Sequence, residues 1–424
     1  MKFQKPTGMR DILEEDLRYF QMVEKVCQEI ADFYSFKRIE TPLLEQSGLF
    51  EKSSGSSSEI VQKQMFTLTT KGGDNLVLRP EGTPPLIRAY LENGMESWPK
   101  PVRLWHFGPF FRYEKPQEGR YRQFFQAGFE VIGSSSWIID AQVIQIFYNI
   151  LNSLGFKDLV VEVNSLGDSQ CRPYYKKVLA NYLKRVRDFL CADCRRRLKI
   201  NCLRVLDCKN EKCQEVVRKG VPQILNHLCH DCHNHFKNVL EALEEIGVPY
   251  NLNPYLVRGL DYYTRTVFEI SENSPEGSAQ GSLAGGGRYD DLVKLLGGKE
   301  TPACGGAIGV DRLVNVLKAR SKSSSKASQA KIFLAQVGDF PKMKMLRLME
   351  SFRKTKIKVF EGLDKDSLSA QLKLADKLGV RYVLILGQQE ALNEEIIVRD
   401  MEEGEQKTIP LEKVVKEMEK KIKK

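Results

Sequence analysis

Residues 107–133, FGPFFRYEKPQEGRYRQFFQAGFEVIG, decide how the larger part of this chain is read. Aromatic residues alternate with small and polar ones on both sides of KPQEGR, so 102–133 reads as two antiparallel strands around that loop. Arg112 stands at a strand end, with Arg120 and Arg122 in and just after the loop. A guanidinium is a rigid two-pronged fork, and Arg112 therefore suits a phosphate. Phe124 offers a ring for a flat heterocycle, and Gln126 and Glu130 on the second strand offer partners to polar or cationic groups. The plainer alternative is an aromatic core whose arginines cap a sheet surface. Three arginines at one hairpin fit that alternative poorly.

Three other segments carry polar groups where a core would carry apolar ones. LRPEGTP, residues 78–84, puts Glu81, Gly82 and Thr83 in a tight strand-to-helix turn. A carboxylate and a hydroxyl there suit an α-amino group, although the same residues are ordinary turn formers. GGAIGVDRL, residues 305–313, joins glycines that permit close backbone approach to Arg312 in the first turn of a helix, within reach of a polyphosphate. LVRGLDYYTRTVFE, residues 256–269, reads as a strand, and in its alternation Arg258, Tyr262 and Thr264 share one face. That face is either a solvated edge or a site for an anionic, nitrogen-bearing small ligand, since an unpaired guanidinium is costly to bury. No GxGxxG or Walker loop occurs, which excludes a Rossmann or P-loop nucleotide site.

The remaining sequence sets the frame. A chain of 424 residues holds two or three domains, and its net charge of +10 leans towards a polyanionic partner such as nucleic acid. No run approaches the ~20 apolar residues of a membrane span. The start, MKFQKPTGMRDILEED, lacks signal-peptide or transit-peptide character, so a cytoplasmic protein with reduced cysteines is expected. Helical spacing covers 16–34, 84–92, 140–154 and 173–190, and strand-like runs cover 37–44, 64–69 and 75–78. SSGSSS, residues 53–58, reads as a flexible polar loop. Between 191 and 236 the texture turns to cysteine, histidine and basic residues, as in an inserted subdomain. SKSSSKAS, residues 321–328, is a linker. Beyond it, candidate strands at 332–336, 357–360, 382–386 and 396–399 alternate with helices at 342–353 and 367–378, a small α/β domain.

Together with AGGGRYDDL, residues 284–292, these segments resemble the class II aminoacyl-tRNA synthetases, and specifically the histidyl-tRNA synthetase family, nearly end to end. The resemblance implies an α+β catalytic domain on a mostly antiparallel sheet over 1–320, with an insertion at about 173–250. A Ser/Lys-rich linker at 321–330 and an α/β anticodon-binding domain at 331–424 would follow. It implies ATP-dependent activation of L-histidine and transfer to the 3′ end of tRNA(His), with Mg2+ on the β- and γ-phosphates. The run ending near Pro42 resembles the class's dimer-interface motif, implying a homodimer. Glu81, Gly82 and Thr83 would hold the α-amino group of histidine, with Gln126 and Glu130 completing the pocket and Tyr262, Tyr263 and Tyr289 at the imidazole. Arg112 and Arg258 would flank the α-phosphate as the catalytic pair, Arg312 would lie along the nucleotide and Phe124 would stack on adenine. Gln117, Arg120 and Arg122 would meet the tRNA acceptor end. Asp140 would supply the acidic group expected after Ser134–Ser136.

Two questions stay open at this level. The pairs Cys191/Cys194 and Cys229/Cys232 have the spacing of a four-thiolate zinc site, while Cys202, Cys208, Cys213 and several histidines crowd the same region. Buried small residues in an RNA-facing subdomain are the alternative. The second question is whether the chain is instead the non-catalytic, synthetase-like regulatory subunit of ATP phosphoribosyltransferase. That class tends to lose the catalytic arginines and the anticodon domain, which this chain keeps.

Overall fold

The computed structural model describes residues 3–55, 58–116, 119–273, 281–321 and 331–423. The chain divides into two compact units, Met1–Ser321 and Lys322–Lys424. In the first, the strands are β1 (Lys37–Arg38), β2 (Leu44–Gln46), β3 (Phe66–Thr69), β4 (Asn75–Leu78), β5 (Val102–Phe111) and β6 (Gln123–Ile132). They continue with β7 (Leu159–Ser165), β8 (Tyr250–Leu252), β9 (Thr264–Glu272), β10 (Ala284–Arg288) and β11 (Ala303–Gly309). Among the described residues, eight of them form a sheet in the order β1-β5-β6-β11-β10-β9-β7-β8. Only the outermost pairs, β1 with β5 and β7 with β8, are parallel. The mostly antiparallel α+β core expected from the sequence is therefore the fold. β2, β4 and β3 form a smaller antiparallel sheet.

The long hairpin follows from its alternation. β5 and β6 pair from Val102–Ile132 at one end to Phe111–Gln123 at the other, burying Leu104, Trp105, Phe129 and Val131. Against one face lie the helices α1 (Glu14–Phe33) and α4 (Trp137–Ser153), and the helix Val310–Ser321. α1 buries Phe20, Val23, Cys27 and Ala31 at helical spacing and opens with Glu14, Glu15 and Asp16, acids that suit the positive end of the helix dipole. α2 (Ser47–Ser54) and α3 (Thr83–Glu92) follow, the latter with Pro84 and Pro85 in its first turn, where an amide is dispensable.

The stretch read from the sequence as an insertion is helical: α5 (Arg172–Arg185), α6 (Ala192–Ile200), α7 (Glu211–Arg218) and α8 (His230–Glu245). It has a small core of its own, from Tyr175 to Ile224, whereas Phe236, Val239 and Leu243 of α8 join the main core.

Two expectations of local structure fail. Residues 256–263 are not a strand but an irregular loop, and β9 begins only at Thr264. Arginine side chains take the place of a ladder there: Arg204 Nη2 donates to the Gly259 carbonyl (3.0 Å) and Arg172 Nη2 to that of Tyr263 (2.8 Å). SSGSSS is not a solvated loop either. α2 runs through Ser54, and Ser53, Ser54 and Ser58 are buried. Ser56 and Ser57 lie outside the described residues, as does the linker from 322 to 330.

In the second unit, β12 (Ile332–Gln336) lies between β13 (Val359–Glu361) and β14 (Tyr382–Leu386), parallel to both. β15 (Glu395–Asp400) and β16 (Gln406–Pro410) extend the sheet in antiparallel fashion. Apolar residues fill both faces of the sheet, under the helices Asp339–Lys354 and Leu368–Lys377. β16 and the helix Val414–Lys423 have no counterpart in the sequence reading; β16 is short, exposed and ends in Pro410.

Candidate active site

Glu81 and Glu130 form the floor of the site. Glu81 follows β4 in a turn held by Arg79, whose side chain donates to the Pro109 carbonyl (3.0 Å) and to Thr41 O (2.8 Å) and Oγ1 (2.9 Å). Gly82 is the N-cap of α3 and Thr83 its first residue. Glu130 sits on β6 opposite Gly305 of β11, where any Cβ would stand 1.6 Å from Glu130 Oε2. Only glycine leaves that carboxylate room, which gives the GGAIGVDRL motif a steric reason.

Both carboxylates are almost fully buried, and hydroxyls satisfy them. Glu81 accepts from Ser54 Oγ (2.7 Å) and from the Tyr262 hydroxyl (2.8 Å). Glu130 accepts from Thr83 Oγ1 (2.7 Å) and from the Tyr289 hydroxyl. Burial pushes the Glu130 carboxyl up to about 7, against the hydrogen bonds from Tyr289 and Thr83, and the nearby Glu81 adds to the rise. Burial likewise raises Glu81, opposed by Ser54, Tyr262 and the more distant charge of Arg112. Tyr262, Tyr263 and Tyr289 stand over this floor with ring centroids 4.8, 5.8 and 6.5 Å apart. Glu81, Thr83, Glu130 and the three tyrosines are thus brought together. Gln126 lies two pleats from Glu130 on the same face of β6, half-buried.

The arginines gather at the open end. Arg112, just past β5, donates from Nε to the Pro80 carbonyl (2.9 Å) and lies over the Phe124 ring at 5.4 Å. Arg312 donates to the Ser282 carbonyl (2.6 Å), and burial together with the charges of Arg120 and Arg112 pushes its guanidinium below the usual range. Arg112 and Arg312 are half-buried and Arg120 is exposed, and a set of cations close enough for two of them to act on Arg312 marks an anion site. Arg258 lies over Gly285 of β10, where a Cβ would stand 2.6 Å from its Nη1, and it pairs with Glu269 of β9. Arg122 turns away from the group: it stacks on Tyr113 (3.8 Å) and donates to the Thr7 carbonyl (3.4 Å). Gln117 lies outside the described residues.

Sequence reasoning missed Ser54 and Glu269, although the second closes the quoted string 256–269. It also missed the partners of Asp140. That carboxylate receives Arg288 Nε (2.9 Å) and Nη2 and His235 Nε2 (2.7 Å), with Arg288 wholly buried. Arg288 further donates to Ser134 O (2.8 Å), Ser136 O (3.0 Å) and Asp290 (3.1 Å). Asp140 thereby joins the serine turn, through Arg288, to the strand end from which Tyr289 projects.

The cysteines do not combine as their spacing suggests. Cys191 and Cys194 converge with Cys208 and Cys213, whereas Cys229 and Cys232 converge with Asp168 and Cys171. The two CxxC pairs belong to separate clusters because α6 and α8 start at different places in the insertion.

The sequence profile of the family described as histidyl-tRNA synthetase matches residues 8–170 and 195–313, and that of the anticodon binding domain matches 332–421. A histidine–tRNA ligase from Dehalococcoides mccartyi is 42% identical over 99% of this chain and 100% of its own length. One from Desulforudis audaxviator is 41% identical over 99% of both. The crystal structure of apo histidyl-tRNA synthetase from S. aureus superposes with a TM-score of 0.80 at 32% identity, covering 98% of this chain and 99% of that one.

Proposed function

The chain belongs to the histidyl-tRNA synthetase family and is an ATP-dependent ligase that joins L-histidine to tRNA, and we propose how its residues divide that work. Two buried carboxylates that, among the described residues, are satisfied by hydroxyls, beside a cluster of arginines, are the observation that carries the assignment. Glu81, Glu130 and Thr83 receive the α-ammonium of histidine, with Gln126 closing that side. A neutral imidazole offers one donor and one acceptor: the hydroxyl oxygens of Tyr262 and Tyr289, whose protons go to Glu81 and Glu130, can accept from its N–H, and the Tyr263 hydroxyl can donate to its other nitrogen. A side chain without those groups leaves these acceptors and this donor unmet and is rejected.

The carboxylate of histidine attacks the α-phosphorus of ATP in line, and pyrophosphate leaves. Charge grows on the non-bridging oxygens, where Arg112 and Arg258 act from either side, already positioned and partly out of water. Phe124 stacks on adenine and Arg312 follows the polyphosphate. Magnesium would neutralise the β- and γ-phosphates, and Glu114 and Glu269, both within electrostatic reach of Arg312, are oxygen donors suited to a hard cation. In the second step the terminal ribose hydroxyl of tRNA attacks the adenylate carbonyl and AMP leaves; contact with the acceptor end is assigned to Gln117, Arg120 and Arg122. The second unit reads the anticodon. Leu43 and Leu44, exposed beside Pro42, support a homodimer interface at β2.

The regulatory-subunit alternative is less well supported, since Arg112, Arg258 and Arg312 are all present and the anticodon profile matches most of the second unit. Histidine-dependent exchange of pyrophosphate into ATP tests the assignment. Arg258→Ala should slow exchange by roughly 100- to 1,000-fold while histidine affinity changes by less than about threefold. Equal losses in both would rule out a role confined to the transition state.

A further inference from the structure

We infer that the insertion holds a structural zinc ion on Cys191, Cys194, Cys208 and Cys213, and that this ion fixes the position of the loop 257–263. Four thiols converge here from separate places in the chain. Their sulfurs all lie within 4.8 Å of one another, and those of Cys191 and Cys208 are 3.9 Å apart. A tetrahedron of sulfurs at about 2.3 Å from zinc has edges of about 3.8 Å. None of the cysteines is in a disulfide.

The surroundings are those of a closed thiolate site. Cys194 and Cys213 are fully buried. The Cys191 amide donates to Cys213 Sγ (3.2 Å), so a backbone dipole already points at that sulfur. Cys191 caps α6, and Cys213 lies in the first turn of α7, whose cap Asn210 accepts from its amide (3.4 Å). Zinc displaces the thiol protons to solvent and leaves a dianionic centre. Arg197 is close enough to Cys194 and Cys208 to feel their charge. The reason for a metal is the size of this core: α6 and α7 have 9 and 8 residues and bury few large side chains. So small a unit needs a staple to hold one conformation.

The ligands Cys194 and Cys208 bracket the residues that brace the loop. Asn201 donates to Asp261 Oδ1 (3.0 Å), and Arg204 donates to the Gly259 carbonyl (3.0 Å) and pairs with Asp261 (3.5 Å). Asn201 also accepts from the Leu203 amide (3.2 Å), which fixes the short turn between them. Beyond this contact the chain leads directly to Tyr262 and Tyr263. This second half of the inference rests on reading those tyrosines as the histidine-recognition element; the zinc site itself does not.

The full chain, purified without added metal, is measured by elemental analysis, alone and as Cys208→Ser, Cys213→Ser and Cys229→Ser. Cys208→Ser and Cys213→Ser should each lose one equivalent of zinc relative to the parent, and Cys229→Ser should retain it. Cobalt(II) added to metal-stripped parent chain should give the thiolate charge-transfer and d–d bands of a tetrahedral tetrathiolate. Absence of zinc together with absence of those bands overturns the site, as does zinc retained in Cys208→Ser. Loss of zinc should raise the KM for histidine roughly tenfold with kcat within about twofold, and Arg204→Ala, which keeps the ligands, should do the same. An unchanged KM in both overturns the coupling to the loop. No pyrophosphate exchange by the parent chain would strike at the histidine reading and leave the metal result standing.

Discussion

Two of the buried carboxylate clusters in the first unit, that of Asp140 and that of Glu81 with Glu130, are balanced in opposite ways. Asp140 is neutralised inside the protein by Arg288, and His235 Nε2 is hydrogen-bonded to it. The Arg288 charge and these hydrogen bonds hold its carboxyl below the usual range although burial opposes them. Glu81 and Glu130 are as deeply buried, yet among the described residues they have hydroxyl partners and no ion pair. Their carboxyls are pushed up instead. Asp140 is a finished piece of structure, whereas the glutamates are a charge imbalance that a cationic ligand completes. Polarity and burial alone do not separate the two clusters. The presence of an internal counter-charge does.

That distinction is broken most severely at Asp140. Removing it strands Arg288 with no exposure to solvent, so Asp140→Ala should destabilise the first unit by about 3–5 kcal/mol. Denaturant unfolding followed by a probe in that unit measures this; a loss under about 1 kcal/mol would mean that Asp290 and the serine carbonyls suffice for Arg288. The glutamates should behave conversely. Glu81→Gln keeps the shape and most hydrogen bonds but removes the charge awaiting an ammonium. Histidine affinity should fall roughly 30- to 150-fold, about 2–3 kcal/mol, with little change in stability. If unfolding shifts more than binding, Glu81 belongs with Asp140.

The elements that depend on local pattern were legible from sequence, and those that depend on distant partners were not. The hairpin 102–133 declares itself through alternation, and α3 through its prolines. The loop 256–263 misleads because its polar and aromatic residues alternate as a strand would, while Arg172 and Arg204, which capture its carbonyls, lie far away in the chain. Ser54 looks like linker chemistry until Glu81 is placed against its hydroxyl. The cysteines mislead for the same reason, since spacing identifies pairs and only the insertion's path decides which pairs meet. Arg112, Arg258 and Arg312 were identifiable as a set through the family resemblance. The role of Gly285 and Gly305 as space for Arg258 and Glu130 required the register of β9, β10, β11 and β6.

The most delicate test is pH. The Glu130 carboxyl, normally near 4.5, titrates at about 7 in the folded chain. The folded state therefore binds a proton that the unfolded state has already released between those values. Its contribution to stability is complete below about 4.5 and is lost as pH rises through about 7. Glu130→Gln cannot titrate, so its stability relative to the parent should climb with pH across this window, by at most about 1.4 kcal/mol per unit. Binding carries the opposite sign, because the α-ammonium of histidine needs the carboxylate. As pH rises through about 7, the parent should gain affinity for histidine relative to Glu130→Gln, by less than tenfold per unit. The imidazole of free histidine titrates nearby, but equally for both proteins, and the ratio of their affinities isolates Glu130. Asp140, whose counter-charge Arg288 lies within the fold and whose carboxyl is held low, should impose no such dependence near neutrality. A parent-to-variant affinity ratio independent of pH would place Glu130 in the same class as Asp140 and remove the difference between the two clusters.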